Sequence, residues 1–397
     1  MKRFFESNII STGLAIFSML FGAGNLMYPL YVGMHAGDKN FYGLAGFIMT
    51  AVLLPLAGFI AMMLFNGNYN TFFNRLGKPF GGLMIFFCMI IIGPLIAIPR
   101  IVTLSHTMIA PFLPTSILTT ITPTSSFLFS LIFLGITFLL TYKENRIVDL
   151  LGYVISPALL LSLVIIITKG LMTTKTAVSN NLSNFTVFKI NFMRGYETLD
   201  LLGAIFFSSI VINILKNKIG KSIQHNPRLL SSIGLKAGII GVSLLGSVYI
   251  GMSLLGVYHG HGFEAVNMGE LFKEVSFSIL GSHGAAIIAT AVLMACLSTS
   301  IALSAVVADY LHTDILSRRI SYATALIFTL LSCLPMSTAG LDIVLAYTGG
   351  FITFVGYPVL ITITFANILY KLFDFKPIKL PVLITLIIAF ASYKNYF

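Results

Sequence analysis

The sequence predicts an all-α polytopic protein that crosses a membrane about eleven times. Of its 397 residues, 57% are hydrophobic and 9% are charged, whereas soluble domains carry about 25% charged residues. Most of its apolar runs reach the roughly 20 residues that a helix needs to cross the hydrocarbon core of a bilayer. The runs, which we call spans 1 to 11, cover about residues 9–33, 41–65, 81–104, 126–142, 147–168, 192–215, 231–257, 283–311, 319–336, 342–370 and 378–393.

Composition excludes several other classes of protein. No polar block is long enough for a soluble domain, so we expect one transmembrane domain over residues 1–397. The first apolar run is too long, and lacks the small-residue site, for a cleaved signal peptide. The three cysteines are odd in number and lie far apart in apolar runs, which predicts core residues rather than disulfides or metal ligands. We attribute the net charge of +11 to basic loops beside a bilayer, not to nucleic-acid binding. No obligate protein partner is evident.

Lysine and arginine predict the orientation. With the N-terminus in the cytoplasm, the inner segments hold 16 of the 24 basic residues, the outer segments hold 7, and Arg100 lies within a span. Cytoplasmic loops of membrane proteins carry this excess. We therefore expect a cytoplasmic N-terminus. Eleven spans place the C-terminus outside, and one further span would place it inside.

Span 1 contains residues that break a transmembrane helix. Gly22, Gly24, Asn25 and Pro29 fall in its middle, where glycine weakens a helix and proline removes a backbone donor. Backbone groups freed at this depth are tolerated only where they line a cavity in the protein. We predict a broken helix around a binding site. The alternative is a face of small residues that packs closely on another helix.

Span 6 has a similar interruption. It opens with Gly-Tyr-Glu-Thr-Leu-Asp-Leu-Leu-Gly over residues 195–203, and two carboxylates with two glycines do not suit a simple spanning helix. This interruption lies five spans after the first. Two sets of five spans, each beginning with a broken helix, are typical of an inverted repeat in transporters.

The predicted repeats cover about residues 9–168 and 192–370, and residues 378–393 form an additional span. Span 8 adds Ala-Cys-Leu-Ser-Thr-Ser over residues 295–300. Its three hydroxyls are oxygen ligands of the kind that a small cation needs. The alternative is that they bond to carbonyls of their own helix.

Together these segments resemble the branched-chain amino acid:cation symporter (LIVCS) family of bacteria. The matching residues are Phe-Gly-Ala-Gly-Asn…Pro at 21–29, Ile-Pro-Arg at 98–100, Gly-Tyr-Glu-Thr-Leu-Asp at 195–200 and Ala-Cys-Leu-Ser-Thr at 295–299. Ser298 stands where the family has threonine. The order and spacing match along nearly the whole chain. The family usually has twelve spans, so the C-terminal end departs from it.

The resemblance implies a LeuT-like fold with a five-plus-five inverted repeat and broken helices 1 and 6. It implies cation-coupled uptake of leucine, isoleucine and valine through alternating access in the bacterial cytoplasmic membrane. No cluster of nucleophile, metal ligands or acid and base lies at membrane depth, so we do not expect an enzyme. The alternatives are a carrier of this fold for another small amino acid or a nitrogenous base, proton coupling, and a membrane sensor that does not transport.

The resemblance also assigns roles to residues. Backbone groups at the first break would bind the substrate carboxylate, and the span 6 break would face its amine and side chain. The expected substrate-binding residues are Ala23, Gly24, Asn25, Thr198, Leu199, Asp200, Gly203, Phe206 and Phe207. The expected sodium ligands are Ser18 and Phe21, through carbonyls, with Ala295, Ser298 and Thr299. Either phenylalanine is also a plausible core or lipid-facing residue.

Three further expectations concern charged groups. The cation site has no carboxylate, so we predict Na⁺ rather than H⁺ as the coupling ion. We predict a gate at the outer end formed by Arg100, Glu197 and Asp200, with an ion pair between Arg100 and Asp200. The alternative for these groups is snorkelling to the membrane interface. His259 and His261 flank a glycine in an outer loop, and their role stays open.

Overall fold

The computed structural model shows a protein built from helices and the turns between them. It describes residues 2–110, 113, 120–143, 147–173, 176–218, 227–262, 268–281 and 284–394, and these ranges contain no β-strand. In chain order the helices are α1 (Lys2–Leu20), α2 (Ala23–Ala36), α3 (40–64), α4 (Tyr69–Phe73), α5 (78–109), α6 (Pro123–Thr141), α7 (147–172), α8 (Asn184–Tyr196), α9 (Asp200–Lys218), α10 (Pro227–His259), α11 (Met268–Leu280), α12 (285–315), α13 (Tyr322–Thr338), α14 (341–373) and α15 (Lys379–Lys394).

Each predicted span coincides with one helix or with a broken pair. Span 1 is α1 with α2, and span 6 is α8 with α9. Spans 2 to 5 are α3, α5, α6 and α7, and spans 7 to 11 are α10, α12, α13, α14 and α15. By length and hydropathy alone, 8 helical segments of the described chain can cross a membrane. The segment Gly24–Leu64 joins the second half of span 1 to span 2, and α13 is a shorter apolar helix.

Span 1 lies at the centre of the bundle. Its first half packs against spans 5, 6, 7 and 8, and its second half packs against span 7. A Cβ added at Gly33 would lie 1.8 Å from the Ser253 carbonyl oxygen, and one at Gly256 would lie 2.0 Å from that of Leu30. Only glycine fits at such separations, so these positions are a close-packed face between spans 1 and 7. The small-residue packing considered for span 1 therefore exists, and it lies on both sides of the break, since a Cβ at Gly13 would also lie 2.9 Å from Ile240 Cβ in span 7.

Span 3 is kinked at Gly93 and Pro94. Gly93 has φ −92° and ψ −111°, outside the helical region, within a π-helical turn Ile91–Leu95. Proline removes a helical hydrogen bond here, which is a usual cause of such kinks. Beyond the kink, all residues of Ala97–Ile109 are buried. This half-helix is surrounded by protein, which is why it can carry Arg100 at membrane depth.

Two predictions about loops are wrong. Span 6 begins at Asn184, not near residue 192, and the Ser183 hydroxyl caps it by accepting from the Thr186 N–H. The interval between spans 7 and 8 contains α11, which buries Leu271, Phe272 and Val275 on one face. Their helical spacing is a signal that could have revealed this helix.

Candidate functional site

The break in span 1 lies at Phe21 and Gly22, between α1 and α2. The Gly22 N–H would bond to the Ser18 carbonyl in a continuous helix, but it donates to the Leu20 carbonyl at 2.9 Å. Pro29 has no N–H to give to the Asn25 carbonyl. The break therefore frees the Ser18 carbonyl oxygen from helical bonding, and Pro29 frees that of Asn25. The break also leaves the N-terminus of α2 without a side-chain cap.

The break in span 6 is held by Arg100 from span 3. It comprises residues 197–199, inside the interrupted segment 195–203 of the sequence. The resemblance implies a break at about 198–203, but Gly203 lies within α9. Arg100 Nη1 donates to the Glu197 carbonyl at 2.6 Å and Nη2 donates to the Thr198 carbonyl at 3.1 Å. A cation is favourable at the C-terminal end of α8, where carbonyls lack helical donors. Arg100 thus ties span 3 to the break.

Leu199 adopts a backbone conformation that is unusual for leucine. Its φ is +64°, and its side chain is buried. A non-glycine residue in the left-handed region costs about 1–3 kcal/mol and persists where the surroundings hold it there. This left-handed conformation lies at the turn between α8 and α9, which starts at Asp200.

Asp200 meets Asn25 and Tyr249 in the centre of the bundle. Asn25 Nδ2 donates to Asp200 Oδ2 at 2.8 Å, and the Tyr249 hydroxyl donates to the same oxygen at 2.9 Å. Asn25 Nδ2 also contacts the Tyr249 hydroxyl. All three side chains are at most 5% exposed. This cluster joins the two broken spans to span 7. Tyr249 was not predicted, because one tyrosine among 16 carries no distinguishing sequence signal.

The predicted ion pair between Arg100 and Asp200 is replaced by other contacts. No salt bridge joins these two groups within the described ranges: Asp200 binds Asn25 and Tyr249, and Arg100 binds two carbonyls. The Glu197 carboxylate binds Arg194 at 3.0 Å. Arg100 therefore contacts the backbone of Glu197, not its carboxylate.

The three hydroxyls of span 8 differ in their partners. Ser298 Oγ donates to the Ala295 carbonyl of its own helix at 3.0 Å. Thr299 Oγ1 donates instead to the Met19 carbonyl of span 1 at 3.1 Å. Ser300 bonds to Thr137 of span 4 at 3.2 Å. The alternative of bonding within the helix therefore describes Ser298, whereas Thr299 faces the break in span 1.

The groups around Thr299 fit a small cation. The Ser18 hydroxyl is fully buried and has no hydrogen-bond partner within the described part of the chain. A buried polar atom of this kind is uncommon, and a bound ion can supply the missing contact. The Ser18 carbonyl also lacks its helical donor. The other predicted sodium ligands Phe21, Ala295 and Ser298 are also buried. The oxygen atoms of Ser18 and Thr299 are neutral, and their role as cation ligands stays a prediction.

A cavity lies between the two breaks and spans 3 and 8. The cavity is lined by polar residues (Asn25, Arg100, Thr198, Asp200 and Thr299), by glycines (Gly22, Gly24 and Gly203) and by apolar residues that include Met19, Leu20, Ile92, Ile101, Leu199, Phe207 and Leu303. The open volume is about 30 Å³, about the share of one water molecule. This space is smaller than an amino acid.

Most predicted substrate residues line this cavity, including Gly203. Ala23 is the first residue of α2. In sequence it lies between Gly22 and Gly24, which both line the cavity. Phe206 does not line it: its ring contacts Tyr69 and Phe73, with centroids 5.4 Å and 6.0 Å away. The structure thus assigns Phe207 to the cavity and Phe206 to the packing below it, on the side of α4.

Helix α4 closes the end of the bundle at which span 1 begins. The Tyr69 hydroxyl and Asn70 Nδ2 donate to the two carboxylate oxygens of Asp314, at 2.8 Å and 2.7 Å. Burial and the charge of Asp314 raise the pKa of Tyr69 above its usual value. The Tyr69 hydroxyl therefore remains a donor throughout the neutral pH range.

The two outer histidines lie apart from this site. His259 Nε2 bonds to the Gly170 carbonyl at 2.8 Å, at the end of span 5. His261 lines an open pocket with His35 and Asn180. The described residues contain no group of three or more potential metal ligands.

Comparisons with known proteins agree with this geometry. A family model described as "Branched-chain amino acid transport protein" matches residues 5–396. The branched-chain amino acid permease BraB of Bacillus subtilis (strain 168) is 30% identical over 369 residues, which cover 92% of this chain and 80% of that protein.

Two solved structures show the fold. MHP1, a nucleobase-cation-symport-1 family transporter in a closed conformation, aligns with a TM-score of 0.60 and 14% identity, over 98% of this chain and 93% of that chain. A Na⁺-coupled sialic acid symporter aligns with a TM-score of 0.58 and 13% identity, over 98% and 90%. The fold is therefore LeuT-like. The limits of the two repeats stay a prediction.

Proposed function

Since the chain belongs to the family of branched-chain amino acid transport proteins, we propose that it carries leucine, isoleucine and valine into the cell together with Na⁺. It is a transporter, not an enzyme. The substrate and the cation bind where the two broken spans meet. The spans then rearrange so that the site opens alternately to the two sides of the membrane.

The observation that carries this proposal is the direction of the Thr299 hydroxyl. It bonds to the Met19 carbonyl across the helix interface. Met19 follows Ser18, whose buried hydroxyl has no partner among the described residues. Freed carbonyls at a broken helix bind coupling cations in secondary transporters. Because this oxygen set is neutral, Na⁺ binding there needs no proton release.

The cavity supports an apolar amino acid as the substrate. The uncapped N-terminus of α2 favours a carboxylate, through free N–H groups and the helix dipole. Ile92, Ile101 and Phe207 provide apolar surface for a branched side chain. A substrate with a charged side chain would lack a partner on this surface.

Proton coupling is the second candidate, and Asp200 is the reason. Its carboxylate is buried within the cavity, and an ionisable group at membrane depth is a candidate for proton transfer. The predicted cation ligands include no carboxylate, whereas the cavity as a whole contains that of Asp200.

Uptake of labelled leucine into proteoliposomes separates the candidates. We expect accumulation when an inward Na⁺ gradient is imposed at equal pH on both sides, and no accumulation when K⁺ replaces Na⁺. Accumulation driven by a pH gradient in the absence of Na⁺ would instead support proton coupling through Asp200. Labelled isoleucine and valine, with lysine as the negative control, define the substrate range.

The orientation follows from the basic residues. We place the N-terminus in the cytoplasm of a bacterial cell, so that α4 and Asp314 close the cytoplasmic end and Arg100 lies toward the outer end. The excess of lysine and arginine in the segments on the same side as the N-terminus supports this placement.

A further inference from the structure

We propose that the substrate itself bridges Arg100 and Asp200: its carboxylate binds the Arg100 guanidinium and the first N–H groups of α2, and its ammonium group binds Asp200. This inference rests on the proposed function, because it names the groups of the site that recognise an amino acid. It makes Arg100 and Asp200 the residues that restrict transport to zwitterions.

Arg100 retains a free donor at the cavity. Its side chain is 5% exposed, and its Nε has no hydrogen-bond partner within the described ranges. A buried charged donor without a partner costs free energy that a bound acceptor recovers. A carboxylate is the acceptor that suits a guanidinium best, because charge and planar geometry both match.

The guanidinium lies directly against the N-terminus of α2. Its Nη2 is 3.4 Å from the position that a Cβ on Gly24 would take. Gly24 is the second residue of this 14-residue helix, whose N-cap Gly22 provides no side-chain acceptor. The guanidinium and the uncapped start of α2 therefore lie close together, and both favour an anion.

Asp200 provides the opposite charge on the same cavity. Asn25 and Tyr249 both donate to its Oδ2, and the Thr198 side chain is a further hydrogen-bonding neighbour of the carboxylate. None of these three neighbours carries a positive charge, and no described lysine or arginine forms a salt bridge with Asp200. An ammonium group placed there gives the buried carboxylate a counter-ion.

The absence of a direct pair is what makes the bridge selective. Within the described chain, Arg100 and Asp200 face one cavity but bind different partners. A zwitterion neutralises both groups at once. A molecule with only a carboxylate leaves Asp200 uncompensated, and one with only an amine leaves Arg100 uncompensated, so each is rejected by an unpaired buried charge.

Three labelled compounds test this bridge on the purified protein: leucine, 4-methylpentanoate, which lacks the ammonium group, and 3-methylbutylamine, which lacks the carboxylate. We expect the wild-type protein to bind only leucine tightly. Asp200→Asn should weaken leucine binding at least about 100-fold and should bind 4-methylpentanoate more tightly than leucine. Arg100→Gln should instead bind 3-methylbutylamine more tightly than leucine.

Asp200→Glu and Arg100→Lys keep the charges and should keep the preference for leucine, at lower affinity. A general structural defect would weaken the binding of all three compounds alike. That result, obtained with folded variants, overturns the bridge. Wild-type affinity of Asp200→Asn for leucine overturns it too. If the wild-type protein binds another amino acid and not leucine, the proposed function fails. The deaminated and decarboxylated forms of that amino acid then test the bridge.

Discussion

Ser298 and Thr299 are neighbours in span 8, yet only one of them contacts span 1. Because Thr299 Oγ1 points at the Met19 carbonyl, we expect Thr299→Ala to remove a cation ligand. The half-saturating Na⁺ concentration for leucine uptake should rise at least about tenfold, since a hydrogen bond or ligand to a charged group contributes about 1.5–3 kcal/mol.

Two matched variants accompany this prediction. Thr299→Ser retains the hydroxyl and should stay close to the wild-type Na⁺ dependence. Ser298→Ala removes a hydroxyl that bonds within its own helix, so its effect should be smaller than that of Thr299→Ala. Na⁺ titrations of uptake by the three variants provide the measurement. Equal shifts for both alanine variants would contradict the placement of the cation at Thr299.

Gly24 and Gly33 lie in the same helix α2 but meet different surroundings. A Cβ at Gly24 makes ordinary contacts with Arg100 and Tyr28, each 3.4 Å away, whereas one at Gly33 overlaps the Ser253 carbonyl. Gly24→Ala should therefore fold normally. Gly24→Leu, whose longer side chain enters the substrate site, should lose leucine binding while remaining folded, with a smaller fall in melting temperature than Gly33→Ala.

Gly33→Ala is the control for close packing. Overpacking of this kind costs about 1–3 kcal/mol, so the melting temperature of the purified variant should fall. Thermal stability and leucine binding are measured on the same samples. A stable Gly24→Leu variant that binds leucine with wild-type affinity would place the substrate site elsewhere.

Helix α4 and span 8 are joined by Tyr69 and Asp314 at the end opposite Arg100. Removing the hydroxyl in Tyr69→Phe, or the charge in Asp314→Asn, should each reduce stability by about 1 kcal/mol, the usual value of one hydrogen bond. The double variant should lose less than the sum, because both changes remove the same contact. Additive losses in a denaturation series would show that the two groups act separately.

The breaks in spans 1 and 6 were predictable because glycine, proline and polar residues seldom occur together within an apolar run unless they interrupt its helix. The start of span 6 and helix α11 were missed, since amphipathic segments at the membrane surface resemble polar loops. The partners of Arg100 and the role of Tyr249 were beyond prediction. They depend on how spans 3, 6 and 7 approach one another, and a single sequence does not contain that information.

The orientation of the whole molecule has a direct test. Cys88, Cys296 and Cys333 are all buried. We therefore expect the native thiols to react little with a labelling reagent, so that a cysteine introduced at an exposed site accounts for most of the labelling. With a cytoplasmic N-terminus, Ser179→Cys should react with a membrane-impermeant maleimide added to intact cells. Asn74→Cys should react only after lysis. The opposite pattern would invert the molecule in the membrane.

In the proposed mechanism, the molecule as a whole couples two binding sites that share the break in span 1. Substrate would contact Gly24 and Asn25 on one side of the break, and Na⁺ would contact Ser18 and Thr299 on the other. If each ligand stabilises the same arrangement of the break, each must raise the affinity of the other by the same factor.

The most direct measurement of this claim is equilibrium binding to the purified protein. Labelled leucine is titrated at a series of Na⁺ concentrations, and labelled Na⁺ is titrated at a series of leucine concentrations. We predict that the two titrations give one coupling factor of about 5- to 150-fold, the usual range for linked sites, and that Thr299→Ala reduces it. A leucine affinity that does not change with Na⁺ would contradict a shared site at the broken helices.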